Sequence, residues 1–187
     1  YTSKIQTNLP HIKASIATID KAIATHSVNN LWFSLNAGKD NMVCFYLLCY
    51  VLTLRRNAGL DTWPNPEKFP INFIYFHEKE PFPETISFMQ NLEKMLDLNV
   101  VYYPNPHNSN RHKVMIDGLQ HIVDNHAMKS IILGIRRTDP WSSHLTDFAP
   151  SDTHKGWPNF VRVLPILEWR YQEIWNFLKS NDLAYCG

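Results

Sequence analysis

The stretch Asn36-Ala-Gly-Lys-Asp40 is the part of this chain whose residue types could do chemistry without help from a distant partner. It lies inside LWFSLNAGKDNMVCFYLLCYV, between one apolar run and another that nothing stops from being helical. Small residues followed by a lysine, at a turn leading into a helix, let backbone N–H groups and the helix dipole face an anion. The pattern is not a Walker A loop, because Phe33 stands where the first glycine belongs and Asp40 follows the lysine instead of Ser or Thr. The spaced glycines of a dinucleotide-binding turn are absent too. On composition alone a plain tight turn with Asp40 as helix N-cap competes with a phosphate cradle.

Other reactive sets are harder to assemble. The nine histidines include no His-Glu-x-x-His, and His112, His121 and His126 do not share a helix face at i, i+4, which argues against a structural metal site. Cys44, Cys49 and Cys186 form no Cys-x-x-Cys pair. An odd number of thiols fits a reducing compartment and points to the cytoplasm.

The elements that must position the hinge follow from periodicity. Ile12, Ile16, Ile19 and Ile23 form the stripe of an amphipathic helix over His11–His26. Leu31–Leu35 reads as a strand and Asp40–Arg56 as a helix apolar nearly all round, ending on Arg55 and Arg56, which complement its C-terminus. Residues 57–70 are loop by their Gly and Pro content. Ile71–Phe76 is predicted as a strand, Pro83–Leu96 as a helix with proline in its first turn, and Val100–Tyr103 as a strand. Arg111–Asn125 reads as a helix with Val114, Met115, Leu119 and Ile122 inward, Ser130–Gly134 as a buried strand, Val161–Leu164 as a short strand and Ile166–Leu178 as a helix. Between them, Ile135–Asn159 has no regular period and is long for an idle connection. Alternation of strands and helices predicts an α/β fold: a three-layer, mostly parallel open sheet with helices on both faces.

Length and charge bound the rest. A chain of 187 residues, 44% of them hydrophobic, is expected to form a single domain over 1–187. Its net charge of +1, from 18 basic and 17 acidic residues, offers no footprint for nucleic acid or an anionic membrane. Arg55 and Arg56 close the longest apolar run below membrane-spanning length, so the chain is read as soluble. It opens on Tyr1 and closes on Cys186-Gly187 straight after a helical pattern, which suggests that it is cut at both ends, and it carries no signal-peptide pattern.

With these elements in place, Ser34-Leu-Asn-Ala-Gly-Lys-Asp40 resembles the pyrophosphate loop, Ser-x-Asn-Gly-Gly-Lys-Asp, of the eukaryotic FAD synthetases (FMN adenylyltransferases). These belong to the adenine nucleotide alpha-hydrolase-like group that also includes the phosphoadenylyl-sulfate reductases. The likeness continues, in the family's order, through Phe82-Pro-Glu84, Gly134-Ile-Arg-Arg-Thr-Asp-Pro140, Ser151-Asp152 before Trp157-Pro158, Val161-Arg-Val-Leu-Pro-Ile-Leu-Glu-Trp169 and Trp175-x-Phe177-Leu178. It spans roughly Leu31 to Gly187, and Gly-Ile-Arg-Arg-Thr-Asp-Pro is specific by itself.

The resemblance implies a reaction: the phosphate of FMN attacks the α-phosphorus of ATP, giving FAD and pyrophosphate with Mg²⁺ present. An ionised phosphate needs no general base, so the work is positioning and charge neutralisation. By position, ATP falls to Ser34, Asn36, Ala37, Gly38, Lys39, Asp40, Phe76 and Gly134, with Asn36, Asp40 and Arg136 at the reacting centre. The amides around Ala37, Gly38 and Lys39 would hold the departing phosphates. FMN falls to Arg137, Asp139, Trp141, Asp152 and Trp157, with Asp152 as acceptor for the flavin imide N–H. Several alternatives stay open. Asp40 is a helix cap or part of the phosphate and Mg²⁺ shell, and Lys39 faces phosphate or solvent. His77 borders the adenosine or is an edge-of-sheet histidine. One of Arg136 and Arg137 is an ordinary salt-bridge arginine, Arg162 braces the site, and Trp141 and Trp157 stack on flavin or sit in the core. Metal ligands are not assigned.

Three departures matter. Ala37 replaces the first paired glycine; Thr153-His-Lys-Gly156 lengthens the link before Trp157; and the family's downstream arginines, implicated in holding the FMN phosphate, are absent. Restoring the downstream residues is expected to recover more activity than Ala37→Gly. The competing readings are a sulfonucleotide reductase using Cys186 as its thiol, disfavoured by Thr138-Asp139-Pro140, and a catalytically impaired nucleotide- or flavin-binding module.

Overall fold

A computed structural model of the protein describes residues 5–61 and 68–186. Tyr1, the middle of the 57–70 loop and Gly187, on which the readings of the chain ends and of the loop partly rest, lie outside the described residues. Among the described residues the strands and α-helices follow in the order α1 (Pro10–His26), β1 (Leu31–Ser34), α2 (Lys39–Asn57), β2 (Asn72–Phe76), α3 (Pro83–Leu96), β3 (Asn99–Tyr103), α4 (Arg111–His126), β4 (Ser130–Ile132), β5 (Phe148–Pro150), β6 (Val161–Val163) and α5 (Tyr171–Ser180).

The strand order is β3-β2-β1-β4-β6-β5, parallel except for β5. From β1 the chain winds outward through β2 and β3, then crosses back so that β4 pairs on the other side of β1. The order therefore reverses between β1 and β4, and a crevice opens beyond their carboxyl ends.

Residue alternation sends each strand's side chains to opposite faces. Leu31, Phe33, Phe73 and Ile132 pack with α1, α2, α5 and the buried Met89 and Leu92 of α3. On the opposite face Trp32, Ile74 and Ile131 pack with Leu119 and Ile122 of α4. The expected three layers are present, although α4 covers its face with fewer residues than foreseen, since Val114 and Met115 are only half-buried. α2 is buried from Asn41 through Leu48, which explains a helix without a polar face: it lies under α1 and α5 as well as on the sheet.

Local chemistry sets the helix ends. Pro83 opens α3, and Asp97 closes it in the left-handed conformation (φ 48). The Asn110 side chain accepts the His112 N–H at 3.0 Å and so caps α4.

Two elements differ from expectation. The helix foreseen from Ile166 begins only at Tyr171, because the Glu173 carboxylate reaches back to accept the Arg170 N–H at 2.7 Å and so fixes the start. The preceding Ile166, Leu167 and Trp169 are buried in turns instead, with Trp169 Nε1 donating to Ser15 Oγ at 2.9 Å. The irregular segment also hides β5, antiparallel to β6. Three residues show no alternation, and Pro150 is tolerated only because this strand is at the edge of the sheet.

Candidate active site

The loop after β1 is fastened at each residue. Leu35 N–H donates to the Ile74 carbonyl at 2.9 Å. Asn36 N–H donates to Asn41 Oδ1 at 3.0 Å, and Asn41 Nδ2 donates to the Ser34 carbonyl at 2.6 Å. Gly38 N–H donates to Asn36 Oδ1 at 2.9 Å. Between these bonds Ala37 has φ 58 and is only 1% exposed. That position does need the left-handed region, as its replacement of a glycine suggested. The methyl group is buried in the core, away from the solvent side of the loop where Asn36 and Gly38 are exposed.

The N-cap of α2 is Gly38, with no side-chain cap. Of the two readings of Asp40, the helix cap is the one the structure rules out: Asp40 lies within the first turn, and its carboxylate faces cations. Its Oδ2 is 3.0 Å from Lys39 Nζ and its Oδ1 is 3.2 Å from Arg136 Nε. Lys39 also lies over the Tyr171 ring, 5.5 Å from its centroid, so it is not simply directed at solvent. The first-turn amides of α2 have no carbonyl one turn earlier within the helix to receive them. Gly38 N–H is occupied by Asn36, so the outward donors belong to Lys39 and Asp40 more than to Gly38.

Gly134, past the end of β4, touches this turn directly. A Cβ there would lie 2.9 Å from Asn41 N and 3.0 Å from Asn41 Cα, so only glycine lets the strand end approach the helix N-terminus so closely. The chain then delivers Arg136, 9% exposed, whose amide donates to Asp139 Oδ2 at 2.8 Å. Asp139 thus shapes the turn that presents Arg136. Arg137 points elsewhere: it pairs with Glu168 and donates to the carbonyls of Ser142, Ser143 and Leu145 at 3.2, 3.1 and 2.7 Å. Of the two arginines it is the structural one. Ser142, 1% exposed, closes the same turn by donating to the Arg136 and Asp139 carbonyls, each at 2.7 Å. Trp141 is 89% exposed with φ 67, which excludes a core role.

Beside the loop, a cavity of about 250 Å³ is walled by Ser34, Phe76, Leu119, Ile131, Asp152 and Trp157 among others. Residues assigned from the sequence to two ligands, Ser34 and Phe76 to one and Asp152 and Trp157 to the other, share this one space. Asp152 accepts from Arg162 at 3.2 Å, while Arg162 also holds the Pro150 carbonyl at 2.5 Å. Arg162 Nε is buried without an acceptor. Trp157 meets His112 edge-on at 5.0 Å. His77 does not line the cavity: its ring lies against Tyr75 and Tyr102, at 5.1 and 5.6 Å, making it an edge-of-sheet histidine.

Sequence reasoning did not assign Asn41, Met115, Ser151 or Phe160 to the site, although Ser151 precedes Asp152 in the quoted motif, Met115 lies on the inward stripe of its helix and Asn41 is an amide at the start of a mostly apolar run. Among the described residues no three His, Cys, Asp or Glu side chains cluster as a metal site. One carboxylate, Asp40, adjoins the loop, and its Oδ1 is buried without a conventional hydrogen bond. That donor set fits Mg²⁺ carried by phosphates better than a metal caged by protein.

A basic turn with helix-start amides lies beside an apolar cavity at the reversal point of a mostly parallel sheet, the place where α/β folds of this kind open a ligand crevice. The model of the phosphoadenosine phosphosulfate reductase domain matches residues 30–187, and the chain belongs to that family. It is 31% identical over 177 residues to a protein of Schizosaccharomyces pombe named as a probable FAD synthase, covering 94% of this chain and 62% of the relative. Identity to the flavin adenine dinucleotide synthase of Saccharomyces cerevisiae is 28%, covering 83% of this chain and 52% of that protein. The crystal structure of Candida glabrata FMN adenylyltransferase with FAD and inorganic pyrophosphate superposes with a TM-score of 0.76 at 23% identity, covering 97% of this chain and 61% of that one. This likeness establishes the shared fold. The chain therefore spans about three fifths or less of the length of these relatives.

Proposed function

We propose that this chain is the nucleotidyl-transfer domain of an FMN adenylyltransferase. An oxygen of the FMN phosphate forms a bond to the α-phosphorus of ATP, the bond from that phosphorus to the β-bridging oxygen breaks, and pyrophosphate leaves with its electron pair. The observation that carries the reading is Arg136: it is buried, sits beside Asp40 at the phosphate loop, and comes from the segment that continues into the cavity wall.

The residues divide the work in a way their contacts support. The amides of Lys39 and Asp40, with the Asn36 amide NH₂ and the Lys39 ammonium, neutralise the departing pyrophosphate. Asp40 orients Arg136 toward the reacting phosphorus. Ser34, Phe76 and the buried Leu119 and Ile131 receive the adenosine, and Gly134 allows that wall to close on the loop. The half-buried Asp152 accepts from the flavin imide at the cavity rim, where Trp157 offers a ring face, and the exposed Trp141 is kept as a second candidate for stacking on flavin. Asp139 and Arg137 act through the turns they hold. Mg²⁺, bound to the nucleotide phosphates beside Asp40, would supply further charge neutralisation. No protein group need remove a proton, because the attacking phosphate is ionised at neutral pH.

The substrates proposed are thus ATP and FMN, with no nucleic acid or membrane partner. No helix among the described residues is long and apolar enough to cross a membrane, and a cytoplasmic setting suits three thiols outside any disulfide among those residues.

Titration of flavin fluorescence with the chain, followed by an assay for FAD from FMN, ATP and Mg²⁺, tests the proposal. Formation of FAD supports it. Flavin binding without turnover supports a binding module instead, and sulfite release from a sulfonucleotide without flavin affinity supports a reductase.

A further inference from the structure

Asn41 is the one amide side chain in the buried run Asn41–Leu48, and it is 3% exposed. Both ends of its amide are bonded, Nδ2 to the Ser34 carbonyl at 2.6 Å and Oδ1 to the Asn36 N–H at 3.0 Å. A single side chain thereby ties the last residue of β1 to the first exposed residue of the loop. Rotating it would leave buried polar groups unpaired on both sides, so the fastening is stiff. The next residue is Ala37, at φ 58. Alanine avoids that region because its Cβ crowds the following carbonyl, and it persists there only where the surroundings over-determine it.

The loop on either side of Ala37 is over-determined by contacts that trace to Asn41. Asn36 N–H is held by Asn41 itself, and Asn36 Oδ1 in turn accepts Gly38 N–H at 2.9 Å. Gly134 backs the same turn so closely that no Cβ would fit between it and the Asn41 backbone, which prevents the helix turn from shifting to release the brace.

We propose that Asn41 is a positioning residue of the phosphate loop: it holds the peptide before Ala37 so that alanine keeps the left-handed backbone a glycine would adopt unaided. In that geometry the following amides stay turned to the anion, which Asn41 does not touch. Only the identity of the anion rests on the adenylyl-transfer reading.

The test compares the parent, A37G, N41A and the double variant, by calorimetric titration with pyrophosphate and by urea unfolding without ligand. N41A is expected to weaken pyrophosphate binding about tenfold or more. With glycine at residue 37 the same change is expected to cost about threefold or less, since glycine enters the left-handed region freely. The urea midpoints are expected to show the same dependence. Equal losses in both backgrounds overturn the proposal, as does an N41A protein that binds pyrophosphate as tightly as a parent that binds it. If N41A does not fold, recovery of the folded circular-dichroism spectrum in the double variant supports the brace, and a double variant that stays unfolded overturns it. Coupled urea midpoints in proteins that all ignore pyrophosphate would uphold the brace and remove the adenylyl-transfer reading instead.

Discussion

Arg136 Nε lies 3.2 Å from Asp40 Oδ1, with both side chains largely buried, at 11% and 19% exposure. Lys39 approaches the other oxygen of the same carboxylate at 3.0 Å and Asp139 Oδ1 lies 3.8 Å from Arg136 Nη2, so two carboxylates hold two cations beside the loop after β1. An incoming polyanion would meet two cations already aimed at it. Arg136→Met should therefore lower FAD formation about 100-fold or more, mostly in kcat, the scale of losing one preorganised charge at a reacting centre. Removing one partner of a largely buried pair should also destabilise the fold by about 2–3 kcal/mol, read from urea unfolding. Turnover unchanged in Arg136→Met would remove this residue from the chemistry.

Gly134→Ala probes the approach of β4 to α2. The added Cβ would press on the Asn41 backbone at 2.9 Å, and backbone cannot swing aside as a flexible side chain can. Destabilisation of about 1–3 kcal/mol is expected, as for overpacking elsewhere in cores, with weaker binding of a non-hydrolysable ATP analogue. A variant as stable as its parent would mean that the loop and strand end separate without cost.

Asp152 is the residue expected to separate the two proposed substrates. Asp152→Ala removes the proposed imide acceptor and the partner of Arg162 at 3.2 Å. Affinity for FMN, followed by flavin fluorescence, should fall about tenfold, while the ATP analogue binds as before. Equal losses for both ligands would show that the shared cavity cannot be divided between them at this residue.

The thiols discriminate transfer from reductase chemistry. Burial pushes the Cys49 thiol up to about 12, and burial, helped by the nearby Asp40 charge, pushes Cys44 up as well. A thiolate forms only as pH rises through the thiol's pKa, so at pH 8 both remain protonated and should resist iodoacetamide. Cys186, whose Sγ is 3.6 Å from Thr85 Oγ1, is then the expected site of alkylation by mass spectrometry. Cys186→Ser should leave FAD formation unchanged, whereas a thiol mechanism would lose all turnover.

Much of the framework is legible in local pattern. Pro83–Leu96 can be read to the residue because proline marks its start and the periodicity lapses at its end. β5 is not legible, because three residues carry no period and its partner β6 supplies the reason it is extended. The start of α5 is hidden in the sequence because Ile166, Leu167 and Trp169 have the apolar character of a helix face, yet they are buried ahead of the Glu173 cap. Trp141 and Trp157, alike in composition and segment, part ways: one is almost fully exposed, the other forms a cavity wall.

From the amino-acid order alone came the α/β alternation, the parallel sheet and the hinge at Asn36–Asp40, since periodicity, proline placement and small-residue turns act over a few neighbouring residues. Tertiary structure decided which distant groups come together: Arg136 with Asp40, Gly134 with the Asn41 backbone, and Phe76 and Asp152 around one cavity. Those pairings depend on β4 crossing back to lie beside β1, and a sheet order is set by the packing of the whole core, which no local stretch of sequence encodes.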